Sequence, residues 1–168
     1  MAVVESAGGA PPTWDERVLD ELRRLYNPLR RFAAIAGRLD VEPDDLVQEA
    51  YTRFLAGDRS DVADVGAYLR RTIVNLASNE RRRSRRAGAA AQRLGPDMAA
   101  VDTYPSALAD LLGLDPRDRA LLYLVDVDGY QAREAAEIVG INAAAARMAL
   151  SRGRRALRAA METESTDV

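Results

Sequence analysis

Five arginines fall within six residues at Arg81-Arg82-Arg83-Ser84-Arg85-Arg86, and a second group, Arg147, Arg152, Arg154, Arg155 and Arg158, follows toward the C-terminal end. A guanidinium is a planar, permanently charged donor whose geometry suits phosphate oxygens and guanine edges. The first run also has a plainer reading, a solvated helix end that complements the helix dipole, although five arginines exceed what a dipole requires. Asn75, Ser78 and Asn79 lie just upstream and can bond to base edges or nucleic-acid backbone, or serve as ordinary helix surface. The adjacent acids Asp44 and Asp45 could be pictured as catalytic carboxylates or a Mg²⁺ site. Acids in the first turn of a helix are ordinary, however, and no third acid completes a ligand set.

The rest of the alphabet is restrictive. All 24 basic residues are Arg, and the chain has no Lys, His or Cys. That excludes disulfides, zinc sites of thiolate or imidazole, thiol nucleophiles, imidazole bases, a P-loop lysine and Schiff-base chemistry. The protein is expected not to be an enzyme and to need no cofactor or metal. Its 168 residues suffice for one ordinary domain or two small ones.

A net charge of −2 hides strong segregation. Met1 to Leu69 holds 8 Arg against 13 acids, whereas Arg70 to Gly95 holds 8 Arg against the single Glu80. Pro96 to Gly140 is again acidic, with 3 Arg against 9 acids, and Ile141 to Ala160 has 5 Arg and no acid. Two basic segments set in acidic ones point to two polyanion contacts and to surfaces that face something else. No run approaches the roughly 18 apolar residues of a membrane span, so no membrane insertion is expected. Residues 1–13 lack the basic flank and apolar stretch of a signal peptide and read as the disordered tail of a cytoplasmic protein.

The elements that must carry these side chains are helical throughout. Trp14, Val18, Leu22 and Leu25 share one face; Asn27-Pro28 predicts a break or kink; Leu29, Phe32, Ala33 and Ile35 then continue to Gly37. Pro43-Asp44-Asp45 opens a helix with Leu46, Val47, Ala50, Tyr51, Phe54 and Leu55 on its inner face, closed by Gly57. After a polar loop over 58–64, Val65, Tyr68, Leu69, Thr72, Ile73 and Leu76 mark a helix whose apolar stripe stops before the arginine run, so its basic end should project from the packed body. Tyr68 reads as core or as a stacking platform for an unpaired base. The Ala, Gly and Pro of the following stretch read as a linker. Helices are then expected over 105–112, 116–127, 131–139 and 142–161. The fold class is all-α: two small helical domains over 14–86 and 105–161, a flexible linker over 87–104 and a short tail at 162–168. Ala136, Gly140 and Ile141 have the spacing of a helix-turn-helix, with Asn142 as N-cap of the second helix; a generic helical hairpin with a basic face is the other reading.

The stretches Asp44 to Tyr51 and Ala67 to Ala77, with the arginine run, resemble region two of bacterial sigma factors of the extracytoplasmic-function (ECF) group. Gly129 to Ile141 and Leu150 to Arg158 resemble region four, and order, spacing and linker match over about 25–160. The resemblance implies recruitment of core RNA polymerase to promoter DNA. Asp45, Leu46, Val47, Gln48 and Glu49 would dock on the clamp helices of the largest subunit. The loop 58–64 with Tyr68, Arg71, Asn75, Ser78, Asn79, Arg81, Arg82 and Arg85 would open and hold the minus-ten element. Asn142, Arg147, Ser151, Arg152, Arg154 and Arg155 would face the minus-thirty-five element, supported by the flap of the second-largest subunit. An anti-sigma factor is a further partner common in the family.

Two departures stand out. Tyr68-Leu69 replaces the usual Trp-Leu, and Ala143-Ala144-Ala145-Ala146-Arg147-Met148-Ala149 stands where Thr, Ser and two basic residues are usual. Arg147 is then the one long polar reader in that stretch, and base readout at the minus-thirty-five element is expected to be weak or altered. Elements about 17 base pairs apart are separated by roughly 58 Å, which a 20-residue tether of about 25 Å r.m.s. span reaches only when pulled out toward about 66 Å. The isolated chain should therefore bind promoters weakly. Alternative readings are a stand-alone helix-turn-helix regulator, or a sigma-like polymerase-binding regulator with a degenerate reader helix.

Overall fold

Asp15 opens the first helix, its carboxylate accepting the backbone N–H of Arg17 at 3.0 Å. In the computed structural model, which describes residues 15–37, 41–58, 61–92 and 113–166, this helix is α1, Glu16–Ala36. It runs through Pro28 without a break, the proline leaving one backbone donor missing inside a continuous helix. Leu22, Leu29, Phe32, Ala33 and Ala36 are its buried stripe. Pro43–Ala56 forms α2 with Leu46, Val47, Ala50 and Phe54 inward, and the N–H of Gly57 donates to Arg53 O as it ends.

The third helix, α3, spans Val65–Gln92 and exceeds its expected length. It does not stop at Arg86, because Ala87, Ala89, Ala90 and Ala91 are the strongest helix formers and outweigh one Gly. The linker expected from residue 87 therefore begins as helix, and the rest of it, with the helix expected over 105–112, falls outside the described residues.

Three further helices follow: α4 (Pro116–Asp126), α5 (Ala132–Val139) and α6 (Ala143–Thr166). Asp115 caps α4 by accepting from Arg117 N at 3.1 Å. Glu134 reaches back to the N–H of Gln131 to start α5. Gly140 ends it at φ +76°, a left-handed conformation that favours glycine, and Ile141 N donates to Ala136 O. Asn142 then caps α6 through its side-chain oxygen, 2.8 Å from Ala145 N. The helix-turn-helix of the sequence is thus built from local caps. On α6, Gly153 is a contact position: a Cβ there would lie 2.2 Å from Leu122 Cδ1 of α4. The helix continues to Thr166, so most of the tail expected at 162–168 is helical.

The two expected helical units are both present, and they pack on each other. Helices α1–α3 form one unit and α4–α6 another; α1 and α3 pack on α4, and α3 also packs on α5. The buried apolar side chains of both units form a single cluster. Phe32 of α1 meets Tyr123 of α4 edge-on, with ring centroids 5.8 Å apart. Periodicity marks apolar faces but does not say what covers them, and here each unit covers part of the other.

Candidate nucleic-acid interface and the seam

Three arginines bind the units together. Arg119, 2% exposed, projects from α4 across the end of α1, where Nε donates to Ile35 O at 2.7 Å and Nη2 to Ala36 O at 2.9 Å and to Gly37 O. Its remaining nitrogen donates to Leu114 O at 2.7 Å. One cation thus satisfies carbonyls that a helix end leaves without partners and sits at the negative pole of the α1 dipole. Arg70 of α3 lies over the ring of Tyr130, 5.6 Å from its centroid, with Asp128 at 3.4 Å. Arg81 donates to Leu114 O and Gly113 O and lies 3.8 Å from Asp115. The basic end of α3 therefore does not project as a whole: Arg81 turns back to the seam, while Arg82, Arg83 and Arg86 are exposed. The side chain of Arg85 lies outside the described residues.

The other candidate residues on α3 divide by face. Arg71, Asn75 and Asn79 are exposed, and a Cβ at Gly140 would lie 3.4 Å from Arg71. Ser78 is half-buried, and its Oγ is buried without a hydrogen-bond partner. Tyr68 packs tilted on Phe54, centroids 5.6 Å apart, and also lines a cleft of about 450 Å³ with Arg71, Tyr130, Glu134 and Glu137. Tyr68 is thus partly packed and partly open to the cleft.

On α2, Asp45, Gln48 and Glu49 are exposed, whereas Leu46 and Val47 are core. Those two cannot touch a partner; they fix the face that the three polar residues present. Asp44 accepts from Tyr26 Oη at 2.8 Å and from Arg30 Nε at 2.9 Å, which ties it to α1. That bond to a carboxylate raises the Tyr26 pKa above its ordinary value. Behind α2, Tyr51 donates to Leu22 O at 2.6 Å, and burial pushes its pKa up to about 12.

Along α6, Arg147, Ser151, Arg152, Arg154 and Arg155 are all exposed. Arg147 and Arg155 have no ion-pair partner among the described residues, but Arg152 pairs with Asp118 at 2.7 Å and Arg154 with Asp126 at 2.7 Å. The bond to Asp126 raises the Arg154 pKa further. Asn142 spends its side chain on the helix cap, and the neighbouring Met148 is 63% exposed.

Sequence reasoning missed Arg70, Arg119 and Tyr130. A signal existed for Arg119: it falls on the same helical face as Pro116 and Ala120, within an otherwise apolar stripe. A charge in a core-facing register announces a buried partner set.

The arrangement is a pair of basic helices presented by two helical units, the second a helix-turn-helix. Residues 18–87 match the family model described as Sigma-70 region 2, and residues 111–157 match Sigma-70, region 4. The chain belongs to the sigma-70 family, and within it to the ECF group. Its relatives include the ECF RNA polymerase sigma factor SigM of Mycobacterium tuberculosis in strains H37Rv and Erdman, each 28% identical over 135 residues, which is 76% of this chain and 68% of the relative. The fold is similar to that of the sigma factor RpoE of Bartonella quintana, solved with the anti-sigma factor NepR, at a TM-score of 0.69 and 22% identity over 88% of this chain and 98% of that one. Among the described residues no helix is long and apolar enough to cross a membrane.

Proposed function

We propose that this protein binds core RNA polymerase and directs initiation at promoters whose minus-ten and minus-thirty-five elements contact α3 and α6. The observation that carries the reading is the succession of region-two and region-four sequences on one chain, each with a helix that bears several exposed arginines. In this reading Asp45, Gln48 and Glu49 face the polymerase clamp helices and α5–α6 lie near the flap. Tyr68, Arg71, Asn75, Asn79 and Arg82 meet the opened strand. Arg147 reads the duplex, and Arg152, Arg154, Ser151 and Arg155 grip phosphates. The polymerase performs the chemistry, and the site of action is the cytoplasm. An anti-sigma partner belongs to the same proposal, supported by the likeness to the Bartonella quintana sigma factor, which was solved in complex with one.

Packed as they are, the two units cannot lie on elements roughly 58 Å apart at about 3.4 Å per base pair. Promoter engagement therefore requires the seam to open on the polymerase. Run-off transcription with core enzyme, on a template carrying the DNA upstream of the protein's own gene, tests the reading. A template-specific transcript is expected. Core binding without a transcript would replace it with the polymerase-binding regulator, a reading that the four alanines at the start of α6 favour.

A further inference from the structure

A second depression lies at the seam, on the basic side of α3. Its volume is about 490 Å³, within the range of small-ligand pockets, and Arg53, Ser78, Asn79, Arg81, Arg82 and Arg117 are among its lining residues. Arg53 comes from α2 and Arg117 from the first turn of α4, so the wall is contributed by both units. Four guanidinium groups face one carboxylate, Asp115, which is already engaged in capping α4. Arg53 Nε is paired to Glu49 at 2.8 Å and Arg81 is bonded to the Gly113 and Leu114 carbonyls. Arg82 and Arg117 have no side-chain partner among the described residues. The buried Oγ of Ser78 is likewise unpartnered, a group that a native structure ordinarily satisfies. Like charges gathered in a recess, with hydrogen-bond donors around them, suit a multiply charged anion.

We propose that this depression binds a small anion of linked phosphates, either an inorganic oligophosphate or the phosphate chain of a nucleotide. Several adjacent negative charges are needed to engage arginines from three helices at once. Because the site exists only when the units are packed, its ligand favours the closed arrangement by mass action. Because Asn79, Arg81 and Arg82 are also candidate minus-ten contacts, occupancy withholds them from DNA. This consequence rests on the function proposed above; the site itself does not.

Calorimetric titration of the full chain with tripolyphosphate, at constant ionic strength, is expected to show one saturable site. Arg117→Ala and Arg53→Ala, both exposed and outside the candidate promoter contacts, should each weaken it about tenfold, the usual worth of one charge-assisted hydrogen bond. Arg133→Ala on α5, exposed and not a lining residue of the depression, should leave it unchanged. Tighter binding of ATP than of tripolyphosphate supports a nucleotide source, and the reverse supports an inorganic one. Absence of saturable binding, or equal weakening by Arg133→Ala, overturns the proposal. So does a single-stranded oligonucleotide that loses as much affinity on Arg117→Ala, since the surface would then be a nucleic-acid track. In run-off transcription the wild type and Arg117→Ala should initiate equally without tripolyphosphate, and only the wild type should be slowed by it. A chain that binds tripolyphosphate but never initiates removes the proposed function and leaves the site. One that initiates and does not bind removes the site alone.

Discussion

The seam between the two units and the outer face of α6 are both built on arginine, yet they use it in opposite ways. At the seam, Arg119 is almost fully enclosed and donates to the main-chain carbonyls of Ile35, Ala36, Gly37 and Leu114. On α6 the guanidinium groups stand in solvent, and Arg152 and Arg154 reach carboxylates on α4 whose side chains are 15% and 36% exposed. A buried cation needs several oriented acceptors at once, because an unsatisfied charge in a low-dielectric interior is costly. An exposed cation needs none and contributes mainly to the field that a polyanion meets. The same residue type is thus a positional clamp in one place and an available donor in the other.

Removing the aromatic contact at the seam is the strongest challenge to this division. Phe32→Ala should cost about 3–5 kcal/mol in urea unfolding, since Phe32 is fully buried and touches Tyr123 across the units. A loss below about 1 kcal/mol would mean that the two units do not share a core in solution. Arg119→Ala should cost about 1.5–3 kcal/mol and raise the radius of gyration in X-ray scattering, as the carbonyls of Ile35, Ala36 and Gly37 turn to water. Unchanged scattering would show that apolar packing alone holds the units closed.

On the outer face, Arg147→Ala should leave stability within about 0.5 kcal/mol of the parent and cost about 1–3 kcal/mol of discrimination among minus-thirty-five sequences in competition binding of holoenzyme. Loss of stability without loss of discrimination would reverse the roles assigned to the two regions. The smallest effect concerns alkali. The Tyr51 hydroxyl titrates near 12 in the folded chain and near its ordinary 10 when unfolded. Because the folded pKa is the higher one, the protonated hydroxyl's contribution to stability is complete below pH 10 and lost as the pH rises from 10 toward 12. Tyr51→Phe should flatten that decline in thermal melts, and an unaltered decline would assign it elsewhere.

Much of the fold is legible along the chain because its signals are local. Pro43 with two acids opens α2, Gly140 turns the chain after α5, and Asn142 caps α6, each within a few residues of the group it satisfies. Element ends were less legible where composition misled: the Ala-rich stretch after Arg86 resembles a linker and is helix as far as Gln92. The candidate site was legible as residue types on α3 and α6. It was not legible which of them remain available: Arg81 is drawn to the seam, Asn142 to a cap, and Arg152 and Arg154 to acids on α4. Each of those assignments except the cap depends on residues more than twenty positions away.

The sequence by itself determined an all-helical chain with no Lys, His or Cys, two basic helices and a helix-turn-helix, because composition, periodicity and caps act over one or two turns. Only the tertiary structure decided that the two units close on each other, that Arg119 ends α1 from a distance of 82 to 84 residues, and that a basic recess forms where α2, α3 and α4 meet. The reason is that a helical pattern specifies which face is apolar, whereas the surface that covers it is chosen by shape and hydrogen-bond complementarity between segments far apart in the chain.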